Sequence, residues 1–174
     1  TVIFPDNQLR IFDYNRVVKD LHGNDKEAFL AKVREVFEIT PMSAIEPYHP
    51  EKLHTFGMYL DAQWYRLSPK TGTWNDANVV DALDVSILQN NLLAPILGIG
   101  DPRRDKRIDF VGGIRGLEEL ARRVDSGREA VAFALYPTSM DELIAIADAG
   151  EIMPPKSTWF EPKLRSGLFI HPLQ

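Results

Sequence analysis

Residues 129–137, EAVAFALYP, form a nearly continuous apolar run, and this stretch constrains the fold more than any other. A strand with one wet face alternates polar and apolar residues, whereas a short run without alternation marks a strand buried on both faces. The sheet holding it must be covered on each side. Helix-like and strand-like patterns mix without strict alternation elsewhere, so the expected class is α+β, one mixed, largely antiparallel sheet flanked by helices. With 174 residues and no internal linker or repeat, the expectation is a single domain over 1–174 with a sizeable core.

Val2-Ile3-Phe4 reads as a strand stopped by the turn Pro5-Asp6-Asn7, and Leu9 to Tyr14 alternate as a second strand. A hairpin that starts at residue 1, without an initiating Met, is expected of a piece of a longer protein. Asn24 and Glu27 have the spacing of a capping box opening DKEAFLAKVREVFEI, where Phe29, Leu30, Val33, Val36 and Phe37 recur at helical intervals. TPMSAIEPYHPEKL is an irregular, proline-rich connection. HTFGMYL and QWYRLSP form a hairpin turning at Asp61-Ala62, with Tyr59, Trp64 and Tyr65 spread over its two faces.

In ANVVDALDVSILQNNLLAPIL, Val80, Leu83, Ile87 and Leu88 share a helical face that Pro95 interrupts. A short strand follows over Ile108–Val111. IRGLEELARRVDSG reads as a helix with Leu117, Leu120 and Val124 inward and Gly127 at its end. Ser139 with Glu142 caps MDELIAIADAG, and GLFIHPL is a last strand.

Several chemistries are excluded at once. Without cysteine there are no disulfides, thiolate metal sites or cysteine nucleophiles. The net charge of −5 argues against nucleic acid as the main partner, and DPRRDKRID, with Arg103, Arg104, Lys106 and Arg107, is interrupted by aspartates. It reads as a solvated loop or a contact to another part of a longer chain. No apolar run is long enough to span a bilayer, so no membrane is expected and the expected location is cytoplasmic. The four histidines lack metal-ligand spacing, and no nucleophile-elbow sequence is present.

Three polar groups remain as candidates. PPKSTWFEPK is not a phosphate-binding loop, because Pro154 and Pro155 lack the N–H groups such a cradle needs. Its Lys156, Ser157, Thr158 and Lys163 either present a rigid rim to a phosphate or carboxylate, or decorate a turn that leads into the last strand. In RIDFVGGIRG, the glycines and Arg115 either hold an anion at a strand-to-helix turn, or allow close packing while Arg115 pairs with Glu118 or Glu119. In FDYNRVVKD, Asp13, Asn15, Arg16 and Lys19 cluster after a strand and either pair with one another or face a cleft. Asp13 and Asp109 are the local carboxylates available for general-base or metal duty.

Five stretches carry a resemblance to a known family: RIFDYNRVVKDL, LDVSILQNNLLAPILGI, DPRRDKRIDFVGGIRGLEELARRVDSG, AFALYPTSMDELIAIADAG and IMPPKSTWFEPKLRSGL. In order and spacing they resemble the C-terminal half of the DUF1015 family, which is named for its lack of an assigned function. The resemblance implies that an N-terminal half is missing, with its Asp-Gly-His-His-Arg motif, and that this half is the chain's partner. That motif is similar to one in ParB-related free-serine kinases, and the family's genes often lie near serine-biosynthesis genes. It thus implies a lean toward phosphoryl transfer, with a nucleotide and Mg²⁺ as cofactors. A pocket for a small phosphorylated or carboxylated metabolite would then lie between the halves, gripped by Arg115, Lys156, Ser157 and Thr158. The alternative is a non-catalytic ligand-binding or interaction domain.

Overall fold

In the computed structural model, which describes Pro5, residues 8–43 and residues 46–163, hydrophobic pattern and turn chemistry produce an α+β fold. The strands are β1 (Arg10–Phe12), β2 (Tyr14–Val18), β3 (Phe37–Pro41), β4 (Phe56–Leu60), β5 (Gln63–Pro69), β6 (Ile108–Gly112), β7 (Val131–Ala134) and β8 (Trp159–Glu161). The helices are α1 (Lys26–Val36), α2 (Asp84–Leu88), α3 (Glu118–Asp125) and α4 (Met140–Asp148). Six strands form one sheet in the order β3-β5-β4-β7-β2-β6, antiparallel at each pairing, and β1 pairs with β8 in a separate antiparallel ribbon. Val2–Phe4 and the GLFIHPL segment, both expected as strands, lie outside the described residues.

β7 occupies an interior position of the sheet, and all four of its residues are buried. Its side chains alternate between two cores. Val131 and Phe133 pack with Phe29 and Val33 of α1 and Ile87 and Leu88 of α2. Ala132 and Ala134 turn to the other face, toward Leu120 and Val124 of α3 and Leu117 just before it. A fully buried side chain of this size contributes roughly 1.5–3 kcal/mol, so the larger first core dominates stability.

The β4–β5 hairpin turns at Asp61-Ala62 as expected, and both residues have positive φ, 50° and 57°. That is the two-residue turn whose twist matches paired strands. Ser139 and Glu142 form the reciprocal capping box on α4. At α1 the cap is one residue later than expected. Asp25 accepts the Ala28 N–H at 2.8 Å, while the Asn24 amide is engaged by Leu21 O and Lys32. Phe37 leaves the helix and opens β3.

The long helix expected over residues 77–97 is mostly absent. Asn75 and Asn78 side chains take the N–H groups of Ala77, Val80 and Asp81, which holds that stretch in turns. Only α2 is α-helical, and it continues as a π-helical turn over Gln89–Leu93, with Ala94 N–H donating to Gln89 O at 2.9 Å. The alternation from Leu9 to Tyr14 breaks at Asp13, which separates β1 from β2. Arg115 ends a single 3₁₀ turn, Gly113–Arg115, ahead of α3 rather than lying in the helix's first turn.

Candidate functional site

Strand alternation divides the FDYNRVV cluster between the two faces of β2. Arg16 shares its face with Val18 and points toward α2, whereas Asn15 and Val17 point toward the α3 side. Arg16 is 4 % exposed. Its Nη1 donates to Tyr14 O and its Nη2 to Lys156 O, the latter at 3.1 Å, and its guanidinium lies 5.6 Å from the Phe110 ring centroid. No carboxylate pairs with it among the described residues. Burial lowers its pKa to about 10.

Arg16 and Phe110 border a cleft of about 510 Å³. Asp81 from the turns before α2, Ser86 of α2 and Asn90 of the π-helical segment also line it, and Pro154-Pro155 form part of the wall. π-Helical turns recur at functional sites because they re-aim side chains out of helical register. Ser86 is 6 % exposed, and its hydroxyl makes no hydrogen bond among the described residues. Arg103 lines the same cleft but is engaged by Asp101 at 3.2 Å.

The turn after Pro154 is tied at three points. Ser157 Oγ donates to Pro154 O at 2.6 Å, Thr138 Oγ1 donates to Ser157 O at 3.2 Å, and Arg16 holds Lys156 O. Lys156 has a φ of 58°, and its Nζ lies 5.5 Å from the Tyr14 ring centroid. Lys163 Nζ stands 4.1 Å over the Trp159 ring. Thr158 is half-buried beside them. The prolines therefore shape a rigid turn, and they also border the cleft. Lys156 and Lys163 rest on aromatic faces outside its lining.

On the other face of β2, Asp13 lines a smaller pocket of about 290 Å³ with His49, Gly113, Gly116 and Tyr136. Asn15, fully buried, donates to Asp13 Oδ2 and accepts the Leu135 N–H at 3.0 Å. Burial pushes the Asp13 carboxyl up, against the Asn15 bond. Arg115 is exposed near this pocket's glycine turn, and neither Glu118 nor Glu119 pairs with it. Glu119 is instead shared by Arg122 and Arg123. Asp109 is bound by Arg123 at 2.7 Å; burial pushes its carboxyl up, but Arg123 and the Phe110 N–H outweigh this and lower it.

A buried acid escaped the sequence reading. Asp84, 5 % exposed, accepts the His54 N–H at 2.9 Å and lies 3.0 Å from His54 Nδ1, while its Oδ2 has no partner among the described residues. Burial raises the Asp84 carboxyl despite these bonds, and the hydrogen bond to Asp84 raises His54. Its one sequence signal was a charged residue inside the apolar LDVSIL stretch. Ser86 carried the same signal.

Residues 1–86 match the model of a family described as a protein of unknown function, DUF1015. The match ends inside α2, so β6, α3, β7, α4 and β8 lie beyond it. No curated protein matches the chain. Among solved structures, a mutant free serine kinase in complex with AMP is similar at a TM-score of 0.50 and 12 % identity, covering 89 % of this chain and 55 % of that one. A conserved hypothetical protein from Pyrococcus furiosus is similar at a TM-score of 0.51 and 13 % identity, covering 89 % and 57 %. These likenesses show a shared fold. The chain spans little more than half the length of either structure. No helix among the described residues is long and apolar enough to cross a membrane.

Proposed function

We propose that the Arg16 cleft binds a small phosphorylated or carboxylated metabolite. The observation that carries this reading is a guanidinium 4 % exposed, bordering a cleft of about 510 Å³ and paired with no carboxylate among the described residues. An uncompensated buried charge is costly, and an anion in the cleft offsets that cost with bidentate hydrogen bonds. The Ser86 hydroxyl and Asn90 amide offer further donors, and the stiff Pro154-Pro155 wall limits the ordering that binding would require. Lys156, Ser157 and Thr158 stand outside the lining and bear on the site through the Lys156 carbonyl, which is bonded to Arg16. Arg115 and Lys163 act only through long-range attraction.

The same reading makes this chain the C-terminal half of a longer DUF1015 protein whose other half supplies acid–base groups for phosphoryl transfer. It is supported by the partial coverage of the two solved structures and by the fold shared with a free serine kinase that binds AMP. The anion would then be a phosphate of a nucleotide or of a phosphorylated substrate. The Asp81 carboxylate, which borders the cleft and has no side-chain partner among the described residues, suits the Mg²⁺ a nucleotide brings, since Mg²⁺ takes one or two carboxylates plus phosphate oxygens.

The test is thermal shift and calorimetry with inorganic phosphate, ADP and phosphoserine, on the wild type and on Arg16→Gln. At least one anion should raise the unfolding midpoint. Losing one charged hydrogen bond should weaken its binding about tenfold or more. Equal affinity in the two proteins, or no response to any anion, would refute the reading.

A further inference from the structure

Just before β2 stands a second charge with no ion-pair partner, opposite in sign to Arg16 and on the other side of the sheet. Asp13 borders the pocket of about 290 Å³, and no cation forms an ion pair with it among the described residues, His49 attracting it only at longer range. Its orientation is built rather than accidental. Asn15 is fully buried, and its amide is anchored by the Leu135 N–H and holds Asp13 Oδ2. Gly113 completes the seat, because a Cβ there would lie 1.9 Å from Asp13 Oδ1. The Gly113 N–H also donates to the Asp13 carbonyl at 2.8 Å, which locks the two backbones together.

The rest of the lining selects the partner. Leu117, Leu135, Pro50 and Pro137 supply apolar walls, Tyr136 an aromatic border, and His49 stands exposed at the rim. A carboxylate with no resident cation, set among apolar walls, repels anions and offers a compact organic cation both charge pairing and a dry surface. The volume lies near the lower end of ligand sites, roughly 300 Å³, which suits a small ligand.

We propose that this pocket is a binding site for a small alkylammonium ion, with Asp13 as its counter-charge and Asn15 as the residue that positions Asp13. It is separate from the Arg16 cleft, because the two cavities share no lining residue, and Asn15, which holds Asp13, alternates with Arg16 along β2. Burial already pushes the Asp13 carboxyl up, so a bound cation relieves an existing cost. The two sites stand or fall independently.

The test is a two-dimensional amide NMR titration of the chain with isobutylammonium chloride. Isobutanol serves as the neutral ligand of similar shape, and sodium chloride as the salt control. Saturating shifts are expected at the Gly113, Gly116 and Tyr136 amides with the ammonium ion. Binding should be at least about tenfold weaker for isobutanol, and about tenfold weaker in Asp13→Asn, which keeps an oxygen for Asn15. Shifts that fail to saturate at those amides, an equal response to isobutanol, or unchanged affinity in Asp13→Asn would overturn the proposal. If Asp13→Asn does not fold, the comparison of ammonium with alcohol on the wild type decides alone.

Discussion

Arg16 Nη2 donates to the carbonyl oxygen of Lys156 at 3.1 Å, joining residues separated by 140 positions. The bond ties the second strand of the chain to the turn after Pro154-Pro155, and so couples the floor of the cleft to its wall. It also explains why a cation can be tolerated at 4 % exposure: the guanidinium fork reaches two carbonyl groups at once.

Arg16→Lys should therefore be less stable than Arg16→Gln. Lysine keeps the buried charge but cannot span both carbonyls, whereas glutamine removes the charge. The expected gap is about 1 kcal/mol in urea unfolding. Equal stability of the two variants would mean that the fork geometry is unimportant.

Arg123 holds together three acids. It pairs with Asp109 at 2.7 Å, Glu119 at 3.0 Å and the buried Glu129 at 3.7 Å, whose second oxygen has no partner among the described residues. Arg123→Ala should cost about 3–5 kcal/mol, because it strands the Glu129 charge in the α3 layer. Adding Glu129→Gln should recover part of that loss. A double variant no more stable than Arg123→Ala would remove Glu129 from the explanation.

The turn at Asp61-Ala62 places alanine at a φ of 57°, where its Cβ crowds the backbone. Ala62→Gly converts the pair to Asp-Gly, the favoured composition for this turn, and should stabilise the protein by about 0.5–1 kcal/mol. Thermal denaturation measures this directly. A lower midpoint in the variant would contradict it.

The His54–Asp84 contact should make stability fall as pH rises. The hydrogen bond to Asp84 holds His54 above its ordinary value, so its contribution is complete below about pH 6.5 and is lost as pH climbs through the folded value. Burial raises Asp84 as well, and a carboxyl raised in the fold works in the same direction. The wild-type midpoint should decline between about pH 6 and pH 8, and His54→Gln should flatten that decline. Parallel curves for the two proteins would show that the pair is not the source.

Much of the scaffold was legible because its signals are local. The Asp61-Ala62 hairpin, the Ser139–Glu142 cap and the doubly buried β7 each depend on neighbouring residues, and each formed where its pattern stood. The failures have local competitors too. Asn75 and Asn78 took backbone N–H groups that a helix around Val80 would have used, and Asp25 capped α1 in place of Asn24.

The candidate site was legible only as an inventory of side chains. From residue order alone came the α+β class, the apolar strand needing cover on both faces, and the polar residues Asp13, Asn15 and Arg16 on one short stretch. Tertiary structure decided how those three divide: strand pairing committed alternate side chains to opposite faces, so Arg16 entered one cleft and Asp13 the other pocket. Which charges would find a counter-ion was likewise unreadable in advance. Arg123 met three acids and Arg16 met none among the described residues, because pairing depends on distances that only the packed sheet and helices create.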